Sequence, residues 1–464
     1  MNRLIRTTAF FPFMSWAIGL SLLLFLGGCG KNHELVRIVP PYQQIIHRDT
    51  LRAIMLYGSS TYFIYKEEPM GYDYDLVKNF ADSLGVHLQV VIAKSSKEAI
   101  DMLQQGEGDL IAVPIDLAYQ NIKQLATTNV GDQSIQVLVQ PMGVNALDDV
   151  TQLAGKTVYV PAHSRFSKRM HDLNDELGDV FTVKEVSDTI PIDALIGMVA
   201  KGKILYTVTT KKIADLNQNN IAGVDFHLPV SFPQRSSWVT LKSDKELVKR
   251  LNAWYDEVTV TGIAKSLYDK YMNENKYFID TAIRVPRGAV SPYDRLFQHY
   301  AKQLGWRWQL LAAQAYCESR FDPQCVSWSG AEGLMQIMPN TAARFGVEGD
   351  AIFNPAQNIE AAVQYLKMLN MIFHSIQNKE ERIKFILSAY HSGPGHVLDA
   401  MALASKFGKN PHLWTGNVET FLKLKANPQY YNDPVCQNGY FNATQTIRYV
   451  NNVLVKFDLY LRRK

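Results

Sequence analysis

Cysteine is scarce, with four residues in 464, too few for a disulfide scaffold. No CxxC or HxxxH pattern points to a metal, and neither a metal nor another cofactor is expected. Charge is sparse as well. Only 20% of the chain is charged, and 48 basic against 44 acidic side chains leave a net charge of +4. No run of Lys or Arg is interleaved with aromatics, which excludes nucleic acid as a partner. What the chain does have is apolar content, 47% of its residues, enough to bury the cores of two or three folded domains.

The first apolar block is a targeting signal. Arg3 and Arg6 form a positive start, AFFPFMSWAIGLSLLLFL (9–26) an apolar centre and LGGC (26–29) an end, so residues 1–28 have the layout of a secretory signal and are set aside from the fold. The competing reading is a retained transmembrane anchor. The LGGC stretch resembles a lipobox, which implies cleavage before Cys29 and lipidation of its thiol and new amino group. Several acyl chains make such anchoring stable. By resemblance to bacterial lipoprotein sorting, Gly30 in the next position implies the periplasmic face of the outer membrane. In that oxidising setting Cys317, Cys325 and Cys436 predict one disulfide and one free thiol, with the pairing open.

Residues 29–49 read as a polar linker with Pro40-Pro41. From Thr50 strand and helix patterns alternate. LRAIMLYG (51–58) and HLQVVIA (87–93) are strands around the helix DYDLVKNFADSLG (73–85), and SSKEAIDMLQQGEGDLIAV (95–113) repeats the unit with a serine cap. TVYVPA (157–162), DALIGMVAKGK (193–203) and ILYTVTT (204–210) form a second set, closed by helices over 247–272. On MGYDYDLVKNFADSLGV (70–86), GEGDLIAV (106–113), LAGKTVYV (153–160) and GIAKSLYDKY (262–271), residues 50–275 resemble a bacterial family 3 solute-binding domain. The resemblance implies two α/β lobes closing on a ligand. Positions where amino-acid binders of that family hold a carboxylate and an ammonium carry Asp116, Asn121 and Thr210 here. The bidentate fork for a carboxylate is absent, so a free α-amino acid is not expected. A muropeptide or peptide is the candidate ligand, and a degenerate cleft kept as a scaffold is the alternative.

Residues 276–464 turn helical. Stretches 295–305, 307–321, 358–373, 380–393 and 445–461 carry apolar residues at spacings of three and four, the pattern of a compact all-α domain. On the helix 307–321, Glu318 shares a face with Leu311, Gln314 and Ala315 and precedes Phe321, with a stop expected at Asp322-Pro323. An apolar face favours the neutral acid, which can donate a proton to a glycosidic oxygen. Ordinary glycosidases need a second catalytic carboxylate, and the nearest candidate, Asp322, stands before proline and reads as a turn residue.

The blocks ESRFDPQCVSWSGAEGLMQIMPNTAARFGV (318–347), IFNPAQNIEAAVQYL (352–366), AYHSGPGHV (389–397) and TIRYVNNV (446–453) resemble the soluble lytic transglycosylase catalytic domain. This implies a lysozyme-like fold cleaving the β-1,4 bond between N-acetylmuramic acid and N-acetylglucosamine in peptidoglycan glycan strands. Carried over, Glu318 is the catalytic acid and base, and Ser327 helps hold the muramyl acetamide. Gln336 and Met338 line the cleft, and Tyr390 and Tyr449 stand near the cleaved bond. One carboxylate then suffices. It protonates the leaving oxygen, the substrate's 2-acetamido group stabilises the cation at C1, and the same residue takes the proton of the C6 hydroxyl, giving 1,6-anhydromuramic acid without water.

Two positions depart from the family. His391 replaces an asparagine, with either a hydrogen bond to sugar or to Tyr390 or an altered pH response as the expectation, since imidazole titrates near physiological pH, and Gln445 replaces a glutamate. Gly330 and Gly333 are expected in a turn leading to a GLMQ helix, and Gly393 and Gly395 at a helix end. The alternatives to a lyase are a periplasmic sensor that grips glycan without cleaving it and a hydrolytic muramidase.

Overall fold

A computed structural model describes residues 41–115, 123–218, 221–272, 285–286 and 288–462. The signal segment, Cys29, Asp116 and Asn121 lie outside the described residues. Part of the expected linker is helical. Pro41–His47 forms a helix whose Ile45 is fully buried in the core of the first lobe, so ordered packing begins before Thr50.

The first lobe is a five-stranded sheet in the order His87–Ala93, Thr50–Leu56, Leu110–Ile115, Gln234–Leu241, Leu125–Ser134. Its first three strands are parallel because each return passes through a helix, Tyr72–Leu84 or Ser96–Gln105. Ser95 caps the second of these by accepting from the Glu98 N–H, and both helices end on left-handed glycines, Gly85 and Gly106. The second lobe orders its strands Val224–Asp225, Gln136–Pro141, Tyr206–Thr210, Thr157–Pro161, Thr182–Val186, with an apolar cluster on each face. The chain crosses between lobes twice, at Ser134–Gln136 and Ser231–Gln234. Gln136 ties the crossings together, its N–H donating to Ser231 Oγ at 2.8 Å and its Nε2 to Gln234 Oε1 at 2.6 Å. Such a pair of crossings is a hinge.

The helical part has one core running from Val290 to Tyr460. Its centre is the helix Trp308–Ser319, buried over Leu310–Ala315 and packed on Asp294–Leu304 and Thr444–Arg462. The helix stops earlier than predicted. Arg320 and Phe321 adopt left-handed φ values of 54° and 72°, which turns Phe321 inward against Phe297 and Tyr316. The proline therefore follows a helix already ended. GLMQ is not helical either. Gln336 has φ 50°, its N–H donates to Gly333 O, and Glu332 pairs with Ile337 across a tight turn. Only glycine fits at 333, since a Cβ there would lie 2.3 Å from Asn358 Nδ2. Gly395 does not end a helix but sits in the first turn of Pro394–Lys406, while Gly393 joins that helix to Lys379–Ser392. The expected disulfide does not form. Cys317, Cys325 and Cys436 are free thiols, and Cys436 Sγ donates to Tyr430 O.

Candidate active site

Glu318 lies in the last turn of the helix Trp308–Ser319, with its side chain 6% exposed. Ser319, next to it, is pinned by donating its hydroxyl to Leu334 O at 2.7 Å, which ties this helix end to the Gly333–Gln336 turn. Tyr449, from the helix Thr444–Arg462, donates its hydroxyl to Glu318 Oε1 at 2.5 Å. Burial raises the proton affinity of Glu318, opposed by the Lys66 ammonium and the Tyr449 hydroxyl. Tyr449 and Tyr390 are themselves pushed well above the ordinary phenol range by burial, so both remain neutral donors. The result is one desolvated carboxyl, bonded to Tyr449 at one oxygen and faced by Lys66 at the other.

Of the other predicted residues, Gln336 meets the Lys66 that faces Glu318 and His391 packs on Tyr449, while Ser327 and Met338 are placed by contacts of their own. Tyr390 donates to Met335 O at 2.8 Å and so braces the turn. Gln336 turns its side chain inward, donating to Cys325 O and Gly333 O, and presents its own carbonyl to the groove. Ser327 closes a neighbouring turn, its Oγ accepting from the Ala331 N–H at 2.9 Å. Met338 is buried at the start of the helix Pro339–Ala343. His391 does not bond to Tyr390. Its Nδ1 meets Thr446 Oγ1 at 3.0 Å and its ring packs on Tyr449, with centroids 4.6 Å apart. Burial, with the Lys66 ammonium beside it, drives its pKa down to about 3 in this closed form. Asp322 is a turn residue, its Oδ1 accepting from the Gln324 N–H.

Residues from the solute-binding half, which sequence reasoning missed, fill the groove. Phe63–Tyr65 and Glu68–Met70 form a two-stranded hairpin whose turn residues, Lys66 and Glu67, have φ values of 51° and 67°. Left-handed backbone at residues other than glycine costs about 1–2 kcal/mol each, so the contacts of the tip must hold it. Lys66, 8% exposed, donates Nζ to Gln336 O at 2.9 Å and stands 3.9 Å from Glu318 Oε2. Its N–H donates to Ser392 O. Tyr65 stacks on Trp328, with centroids 5.8 Å apart, and meets His391 Nε2 at 3.4 Å. Glu67 pairs with Arg344 at 3.1 Å, and Glu68 Oε1 accepts from Asn340 at 2.8 Å. Gly393, at φ 90°, permits this approach, because a Cβ there would lie 3.1 Å from Glu67 N. Behind the tip, His396 Nε2 donates to Ile64 O at 3.0 Å, and its Nδ1 faces the fully buried Lys425, which pairs with Asp399. The only sequence signal for this plug is the polar pair Lys66-Glu67 directly after the strand-forming run Phe63–Tyr65.

A second cavity, of about 250 Å³, lies between the lobes and is lined by Thr61, Lys97, Ser164, Asp193 and Thr210, with Tyr431 reaching in from the helical part. Ser59 N–H donates to Asp193 Oδ2 at 3.2 Å across the two lobes. Among the described residues no group of three or more His, Cys, Asp or Glu could hold a metal.

The fold and site define a class: a two-lobed solute-binding body whose hairpin enters the groove of a helical body with one buried carboxyl. The family of bacterial extracellular solute-binding proteins, family 3, matches residues 57–274, and the transglycosylase SLT domain matches residues 295–413. Membrane-bound lytic murein transglycosylase F of Desulfosudis oleivorans is 32% identical over 428 residues, covering 88% of this chain and 89% of its own. The protein of the same name from Aeromonas salmonicida is 31% identical, covering 94% and 86%. The chain belongs to the membrane-bound lytic murein transglycosylase F family. Among solved structures, a mutant of ArgBP from T. maritima is similar over 50% of this chain and all of its own, at 20% identity and a TM-score of 0.43.

Proposed function

We propose that this protein is a peptidoglycan lytic transglycosylase with Glu318 as its only catalytic carboxyl. The observation that carries the reading is the buried Glu318 side chain bonded to Tyr449 within the SLT-matched body and no second acid beside it among the described contacts. Glu318 gives its proton to the glycosidic oxygen between N-acetylmuramic acid and N-acetylglucosamine, and that C–O bond breaks. The substrate's acetamido oxygen shares the charge left at C1, while the Tyr449 hydroxyl stabilises the carboxylate just formed. That carboxylate then takes the C6 hydroxyl proton as O6 bonds to C1. The cycle returns Glu318 to its acid form and consumes no water, which is why one carboxyl is enough.

The hairpin tip occupies the place where the strand must lie, so the form described is closed to substrate, and cleavage requires Lys66 to withdraw. The cavity between the lobes, with Tyr431 of the helical body in its wall, offers a route by which a peptide or muropeptide in that cavity governs the withdrawal. Lipidation at Cys29 would hold the protein at the periplasmic face of the outer membrane, in keeping with relatives named membrane-bound. The test is digestion of purified sacculi with the lipid-free chain and with Glu318→Gln, read by mass spectrometry. Cyclised 1,6-anhydro ends from the first and none from the second support the lyase. Hydrated reducing ends would indicate a muramidase, and no release a binding protein.

A further inference from the structure

The hairpin tip is held by three kinds of partner in succession: an aromatic face, the acid centre and a guanidinium. Tyr65 lies on Trp328 at an interplanar angle of 23°, as a flat ring would lie there. Lys66 reaches Gln336 O and Glu318. Glu67 and Glu68 present carboxylates to Arg344 and Asn340 at the rim. Withdrawal of the tip uncovers that Trp328 face and leaves Arg344 without the carboxylate it holds here, both beside the same groove. A guanidinium there recognises a carboxylate in forked geometry, and in a peptide-bearing strand the lactyl carboxyl of each muramic acid is tied up as an amide. The acidic peptide branches carry free ones.

We propose that the hairpin tip stands in for a glycan strand, so that its partners mark two substrate subsites: Trp328 stacks on a sugar ring, and Arg344 with Asn340 takes a carboxylate of the peptide carried by that strand. This rests on the transglycosylase reading above. The enzyme thereby prefers strands whose peptides keep free carboxylates, and Glu67 competes with substrate for Arg344.

The test compares initial rates, over a range of concentrations, on glycan strands bearing peptides and on the same strands with their peptide carboxyls blocked as amides, using the full lipid-free chain with and without Lys66→Ala. The natural chain and Glu67→Gln should both show a KM for the unblocked strands lower by roughly fivefold, the scale of a partly exposed charged contact. Arg344→Gln should abolish that preference, and Arg344→Lys should restore part of it. Trp328→Ala should raise KM on both polymers alike, by roughly fivefold, the scale of a lost ring contact. A contact that merely latches the hairpin would make Glu67→Gln and Arg344→Gln behave identically. That result, or a preference surviving in Arg344→Gln, overturns the carboxylate subsite, and an unchanged KM in Trp328→Ala overturns the stacking subsite. Failure of every variant to release anhydro ends from either polymer overturns the transglycosylase reading itself, whereas cleavage without preference overturns only this inference.

Discussion

Replacing Lys66 with alanine should turn the enzyme on. The ammonium makes one charged hydrogen bond, to Gln336 O at 2.9 Å, and lies 3.9 Å from Glu318. Losing a charged hydrogen bond costs about 2 kcal/mol. Burial already lowers the proton affinity of Lys66, so desolvation offsets part of that attraction. The left-handed backbone at 66 and 67 also opposes the closed tip. A net loss of about 1–2 kcal/mol raises the open population about 5- to 30-fold while the closed form predominates. The assay is the initial rate of 1,6-anhydro ends released from sacculi by the full lipid-free chain, with thermal unfolding as a check on the fold. The double variant with Glu318→Gln should be inert. A Lys66→Ala enzyme that is folded yet no faster than the natural chain would refute the reasoning.

Three further outcomes follow from the same geometry. Tyr449→Phe removes the 2.5 Å bond to Glu318 Oε1, so kcat should fall about tenfold, the scale of a charged hydrogen bond. The hydroxyl also lowers the proton affinity of Glu318, so the basic limb of the pH–rate profile should move upward, and an unmoved limb would count against the assignment. In the closed form burial and the Lys66 ammonium hold the His391 pKa down to about 3; withdrawal of the tip removes that charge and the Tyr65 ring that covers it, so His391→Asn should alter the acid limb of the pH–rate profile, which reports the open form, and an unaltered limb would show that the imidazole stays neutral after the tip has left. Lys425→Met strands the buried Asp399, which should cost about 3–5 kcal/mol and lower the calorimetric Tm by several degrees. The carboxyl of Asp399 is held below its ordinary range by Lys425 and the N–H groups of Gln437 and Asn438. Its contribution is therefore present above the ordinary aspartate pKa and lost as pH falls through the native one, so the variant should also lose its extra sensitivity to acid.

Periodicity exposed what periodicity can carry. The helices around Glu318 and the alternating strands of the first lobe follow from apolar spacing and caps, and the structure places them within a few residues of expectation, as at Tyr72–Leu84 and Thr444–Arg462. The misses have local causes. The GLMQ stretch looks helical by composition, but a buried Asn358 amide bonds its backbone at Met335 N and forces a turn. His391 titrates near neutrality in water, and burial together with the Lys66 ammonium, which no local pattern announces, removes that behaviour in the closed form. The role of Lys66 could not be read from spacing, because Gln336, its hydrogen-bond partner, lies 270 positions away, and no spacing rule reaches across two domains.

That long-range contact couples access to chemistry. The Lys66 ammonium is a cation beside a carboxyl that must begin as an acid, and it lowers the proton affinity of Glu318 while it blocks the groove. When the tip leaves, both effects end together: the strand can enter and, once it excludes water, the carboxyl sits in an apolar site without its counter-charge and holds its proton more firmly. An empty open groove lacks the second effect, because water then solvates the carboxylate. The proton donor is therefore fully prepared only with substrate seated. The pH–rate profile of Lys66→Ala should accordingly have its basic limb higher for kcat, which reports the complex, than for kcat/KM, which reports the free enzyme. Coincident limbs would mean that the strand does not dry the site.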